Sequence, residues 1–418
     1  MSRIAVLVLV VGCSPALDTS FPDAAPRDGR ISIDAAEGSA CAVPRFPGWQ
    51  WSGVAPDSIW YQAADLDGDG TPELLWQDSE GELFVVRAIA DGSYGFPTLV
   101  VAGVVSGNPV VKDLDGDHVV DIAWNGDNGA VRIARGHGDG TFEDPVDLIS
   151  ATTLNGAFPT LVASEHGLVG ARGDTVFIVD SGVVTHWSVA VTGLGIQSIA
   201  SADLDHDGTD EVILGIADGA GAWSVTTYRK TGAPIASRPV ASASRLFVGD
   251  LDGDGAPEVI AWDTLALHVF HGDGAGGLSP ETRLTPGSPS ETFDLVDLDH
   301  DGAKEILCVD FYKNTIAIQN LDGTQRLLAR VPSPSFAQVV VRDVDGDGAA
   351  DLVMSDGVGS IQVMRNDGTG AFAPPIAFPG FGAIAIDVRD TDGDGRDDII
   401  TLDTLSPQLT IFPQRCAE

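Results

Sequence analysis

Asp65, Asp67, Asp69 and Glu73 stand at the first, third, fifth and ninth places of one nine-residue segment, Asp-Leu-Asp-Gly-Asp-Gly-Thr-Pro-Glu. Four carboxylates this close repel one another unless a cation sits among them. Asp at alternate positions of a turn directs its side chains to one point, and the seventh residue, here Thr71, offers a carbonyl. Glycine at the sixth place allows the turn unusual backbone angles. A hard divalent ion that takes about six to eight oxygens matches that donor set, so Ca²⁺ is the expected ligand.

The pattern recurs in register six more times. The second copy supplies Asp113, Asp115, Asp117, Val119 and Asp121, and the third Asp203, Asp205, Asp207, Thr209 and Glu211. The fourth has Asp250, Asp252, Asp254, Ala256 and Glu258, and the fifth Asp297, Asp299, Asp301, Ala303 and Glu305. Asp343, Asp345, Asp347, Ala349 and Asp351 make the sixth, and Asp390, Asp392, Asp394, Arg396 and Asp398 the seventh. His118 replaces the sixth-place glycine in the second copy, which makes that site the least secure. A solvated run of surface charge would hold no such register. Seven bound Ca²⁺ would offset fourteen of the 38 excess negative charges. An EF-hand shares the first half of this spacing, but it needs a bidentate Glu at the twelfth place and a helix on each side. The twelfth residue here is Trp76 in the first copy and Trp124 in the second, and the flanking segments read as strands.

Those flanks define the scaffold. The copies start 48, 90, 47, 47, 46 and 47 residues apart, and the long interval holds one decayed repeat near residues 157–171 without an acidic loop. Each repeat contains four short apolar runs separated by turn residues, such as Ser58–Ala64, Glu73–Trp76 and Glu82–Val86, with an Asp-Gly turn and often an aromatic residue before the fourth. Such runs are strands. Four strands in about 47 residues is a propeller blade, and radial stacking buries the faces that one blade leaves open. The fold class is therefore all-β, an eight-bladed β-propeller over residues 41–418, with seven blades as the alternative. The last repeat lacks a fourth strand, which Phe46–Trp51 is placed to supply.

The composition agrees. Net charge is −38 with 23 basic residues, so phosphate backbones and anionic lipid surfaces are repelled and nucleic-acid binding is excluded. At 44% hydrophobic residues the chain is too apolar for disorder.

Residues 1–13 read as a short signal peptide in which Val10-Val11-Gly12-Cys13 resembles a bacterial lipobox. Cys13 would then carry lipid and anchor the protein at an outer membrane or cell surface, with a periplasmic or secreted form as the alternative. Residues 14–40 read as a flexible tether. Cys41 and Cys416 bracket the folded region and are expected to form a disulfide, whereas Cys308 reads as a buried free thiol.

The strand followed by Asp-x-Asp-Gly-Asp-Gly-x-x-Glu/Asp, with Asp-Gly-x-Phe further on, resembles the FG-GAP/VCBS repeats of integrin α-subunit-like propellers. The resemblance implies structural Ca²⁺ sites on one propeller face and a role in adhesion, glycan binding or, in some members, polysaccharide lysis. Other candidates carry less. Arg172-Gly173-Asp174 falls where the decayed repeat turns between its second and third strands. His268 and His271 flank a strand end without the spacing of a catalytic set, and His206 and His300 occupy fourth places of acidic loops. Trp76, Trp124 and Trp262 recur at one place in the second strand, as core residues or as sugar platforms. The 19 arginines are spread singly, which weighs against a lyase. The expected function is noncatalytic binding of a protein or carbohydrate ligand, with membrane contact only through the lipid anchor and a calcium-dependent lyase as the alternative.

Overall fold

The computed structural model describes residues 44–45, 51–54 and, with breaks in the connecting stretches, 60–416. Cys13, Cys41, the segment 14–40, Phe46–Gln50, Asp392 and Asp394 lie outside the described residues. The rest form eight four-stranded antiparallel sheets and one two-stranded ribbon, arranged as a β-propeller. In blade one the strands are Trp60–Ala64, Glu73–Gln77, Leu83–Val86 and Thr98–Val101, in that order across the sheet. First strands of several neighbouring blades approach one another, so they face the axis. Fourth strands face outward, which leaves Val146 and Val183 exposed.

The second strand of each blade has an apolar middle because its two faces pack against two different blades. Asp121–Asn125 is buried at every position. Its Ile122 and Trp124 meet Leu66, Leu75 and Val85 of blade one, while its Ala123 meets Leu168, Phe177 and Val179 of blade three. Similar layers join each later pair up to blades seven and eight. Core therefore lies between blades rather than within them.

The decayed repeat is a complete blade. Thr160–Ser164 and Gly167–Arg172 pair antiparallel with Ser164 opposite Gly167, which leaves no space for an acidic loop. Gly173 and Asp174 form the two-residue turn to Thr175–Asp180, with Gly173 at φ +58°, so the Arg-Gly-Asp tripeptide is a hairpin corner.

Closure occurs in blade eight through an N-terminal strand, as expected. Trp51–Val54 pairs with Gln408–Phe412, with Trp51 opposite Ile411; of the expected segment Phe46–Trp51, only Trp51 is among the described residues. Pro44 and Arg45 pair with Cys416 and Arg415 in the small ribbon beyond it.

Candidate metal centres

Each acidic loop joins the first strand of a blade to the second, and the same hydrogen bonds shape every copy. The second-place residue, Leu in five copies, Val344 in the sixth and Thr391 in the seventh, is buried between blades. Its N–H donates to the ninth-place carboxylate at 2.7–3.1 Å in all seven loops. The first-place Asp accepts from the sixth-place N–H at 2.8–3.2 Å. In six loops the fifth-place Asp accepts from the seventh-place N–H at 2.7–2.9 Å. These Asx-type turns fix the carboxylates and leave other oxygens free to converge.

Both the fourth and the sixth places adopt positive φ. Gly68 and Gly70 lie at +75° and +89°, His206 and His300 take the fourth place at +59°, and His118 takes the sixth at +68°. The histidine in the second copy therefore keeps the glycine's conformation, and its N–H reaches Asp113 Oδ2 at 2.9 Å as glycine does elsewhere. Sequence reasoning recognised the demand at the sixth place and missed it at the fourth.

The oxygens do converge. One carboxylate oxygen each from Asp65, Asp67 and Glu73 lies within 4.8 Å of the others, and the same holds for Asp113, Asp115 and Asp121, for Asp203, Asp205 and Glu211, and for Asp250, Asp252 and Asp254. Asp115 Oδ1 and Asp297 Oδ1 are shut off from solvent and accept no hydrogen bond. Buried lone pairs without donors fit a cation ligand. Of the seventh copy, Asp390, Arg396 and Asp398 are described, and Asp398 accepts from Thr391 and Gln414 main-chain N–H groups.

Burial dominates the ninth-place acids. It pushes Glu73 up to about 7, Asp121 to about 6 and Asp351 to about 7, with the other acids of each loop adding to the rise. Glu211, Glu258 and Glu305 are raised for the same first reason. Folded pKa values above the unfolded ones mean that the metal-free protein holds protons the unfolded chain releases. That stabilisation is complete below about pH 4 and is lost as pH rises through 6–7. In excess chelator the melting temperature should therefore fall by several degrees between pH 5 and pH 8; a level or rising profile in that window would contradict the assignment.

Four of the 19 arginines, each single in the sequence, share one place in their blades. The residue immediately after the third strand is Arg87, Arg135, Arg229 and Arg365 in blades one, two, four and seven, and His271 in blade five. Arg135 Nε meets Asp115 Oδ2 at 2.9 Å, Arg365 Nη1 meets Asp345 Oδ2 at 3.3 Å, and His271 Nδ1 meets Glu258 Oε1 at 3.0 Å. Arg87 Nη2 instead donates to the Gly140 carbonyl of the next blade at 2.6 Å. The signal was available: Arg87, Arg135 and Arg365 each lie 22 residues after the first Asp of their copy.

Other predicted residues resolve as follows. Trp76 and Trp124 are buried core, unavailable to a sugar, and half-buried Trp262 stacks under the Arg245 guanidinium at 5.0 Å. His268 does have carboxylates at hand, contrary to the spacing argument, because strand pairing brings distant residues to it. Asp263 Oδ2 lies 2.9 Å from Nε2 and Glu281 Oε1 2.7 Å from Nδ1, and the ring is buried. Cys308 is buried and in no disulfide.

A model of FG-GAP-like repeats matches residues 65–124, 250–308, 297–354 and 343–401, just over half of the chain. The chain belongs to the FG-GAP-like repeat family. No curated protein matches this FG-GAP propeller in sequence. Among solved structures it is similar to a lectin from Agrocybe aegerita, described as recognising non-reducing terminal N-acetylglucosamine, at 17% identity and TM-score 0.52 over 86% of each chain. BBS1N in complex with ARL6DN aligns at 12% identity and TM-score 0.49 over 91% of this chain and 97% of that one. At such identities the likeness is one of fold.

Proposed function

We propose that this FG-GAP propeller is a noncatalytic, calcium-stabilised binding module displayed at a cell surface. The observation that carries the reading is the repeated loop itself. Seven blades spend their acidic residues on one register whose hydrogen bonds tie the first strand to the second, which is structural work and leaves other surfaces for a ligand. Asp65, Asp67, Asp69, Thr71 and Glu73, with their counterparts, would hold Ca²⁺, which would neutralise the loop and lock the strand junction. A glycan is the favoured ligand class, since the similar lectin recognises a terminal sugar and shares this fold. Binding of the intact protein to a glycan array in Ca²⁺ tests the reading, and a blank array together with captured envelope proteins would move it to a protein ligand. A lyase is disfavoured by His268, whose two nitrogens are both engaged by carboxylates. Release of unsaturated uronates from polyuronate would reverse that judgement.

Two covalent features belong to the same proposal. Lipid on Cys13 would tether the body to the outer membrane, and Cys13→Ala protein that still fractionates with membranes after a salt wash would refute it. Cys416 pairs in register with Pro44, three residues from Cys41, which supports a Cys41–Cys416 bond. Non-reducing peptide mapping should recover the two cysteines as one linked peptide.

A further inference from the structure

In one of the seven loops a basic side chain reaches three acids at once. In blade four the Arg229 guanidinium enters the space between the acids: Nη1 lies 2.5 Å from Glu211 Oε1, 2.9 Å from Asp205 Oδ2 and 3.6 Å from Asp207 Oδ2. Asp203, Asp205 and Glu211 are the oxygens that converge in this copy, so the nitrogen stands among the donors a metal would need. On its far side Nη2 donates to the Ala275 carbonyl of blade five at 3.3 Å, which holds the group from both sides.

The register explains why this blade differs. Its second and third strands, Glu211–Ala217 and Trp223–Tyr228, are each two residues longer than Asp121–Asn125 and Val131–Ala134 of blade two. Arg229 thus follows the first Asp by 26 residues rather than 22 yet returns to the same end of the sheet. Elsewhere the contact is slighter, and in blade five it is a histidine: His271 Nδ1 lies 3.0 Å from Glu258 Oε1 and 3.4 Å from Asp252 Oδ2. Arg135 and Arg365 each form an ion pair with one loop acid, and in blade six the equivalent residue is the uncharged Asn320.

We propose that Arg229 replaces the metal in blade four, so that the loop beginning at Asp203 takes no Ca²⁺ although its motif is intact. A guanidinium supplies one positive charge and several donors in a plane. Bound among three carboxylates, with one of them wholly buried, it satisfies the oxygens that Ca²⁺ would otherwise coordinate and excludes the ion by charge and volume. The inference rests on the calcium reading of the other loops.

The test is the number of Ca²⁺ bound per full-length chain, measured by titration calorimetry and by elemental analysis after gel filtration. Asp67→Asn, in blade one, should lose one ion, whereas Asp205→Asn should lose none. Arg229→Ala, and Arg229→Gln in case the smaller residue impairs folding, should each gain one. Loss of an ion on Asp205→Asn, or no gain in a folded Arg229 variant, overturns the proposal while leaving the calcium reading intact. A wild-type chain that binds no Ca²⁺ overturns both.

Discussion

Removing Ca²⁺ should lower the melting temperature by roughly 10–20 °C at neutral pH and constant ionic strength. A ligand that binds only the native state stabilises it by about 2.7 kcal/mol per site when present at a hundredfold excess over Kd. Six occupied loops would together contribute about 16 kcal/mol, which for a chain of this size corresponds to a shift toward the upper end of that range. The effect should be larger at pH 8 than at pH 5, because buried acids such as Glu73, pushed up to about 7, must ionise to bind the metal. Mg²⁺ should restore less than Ca²⁺, since it demands tight octahedral geometry and gives up water reluctantly. Differential scanning calorimetry with excess chelator checks this, and an unchanged transition would remove metal from the fold.

Asp121→Ala should destabilise the metal-free protein by about 3–5 kcal/mol. Asp121 is buried and accepts two main-chain hydrogen bonds, from Leu114 N–H at 3.1 Å and from Gly136 N–H at 3.0 Å. Leu114 lies in the layer between blades two and three, and Gly136 follows the third strand, so one carboxylate ties three parts of the blade together. Truncation leaves the buried Leu114 N–H and the half-buried Gly136 N–H without an acceptor, each costing about 1–3 kcal/mol. Asp121→Asn keeps one acceptor oxygen and should lose about half as much. Asp117→Asn provides the contrast: Asp117 is exposed and accepts only from Val119 N–H, so its loss should cost little in chelator and an ion in Ca²⁺. Denaturant unfolding of the three variants in chelator decides. Asp121→Ala within about 1 kcal/mol of wild type would show that the ninth-place acid is a ligand only.

Blade number, loop position and the decayed third repeat were all legible in the sequence, because a fixed period imposes one structure on every copy. The acids were legible for the same reason. What escaped was whatever depends on strand pairing rather than on spacing along the chain. His268 meets Asp263 and Glu281 only because three strands run side by side. Arg229 reaches its loop only because two strands lengthen together, which hides it from a strict 22-residue register. His118 looked disabling by residue type, yet the backbone it must adopt is one that histidine tolerates at modest cost.

The pairing of Trp51–Val54 with Gln408–Phe412 also sets an order of events during synthesis. Val54 must wait more than 350 residues for its partner to be made, about 20–70 s at ribosomal rates of roughly 5–20 residues per second. Throughout that interval the nascent chain carries an unpaired strand at one end and a growing row of blades at the other, each with an open apolar face. Such edges invite pairing with other chains. A cell that makes this protein must therefore keep the unfinished ring from its neighbours until the final repeat arrives, and a chain truncated within that repeat would remain open however well its other blades had formed.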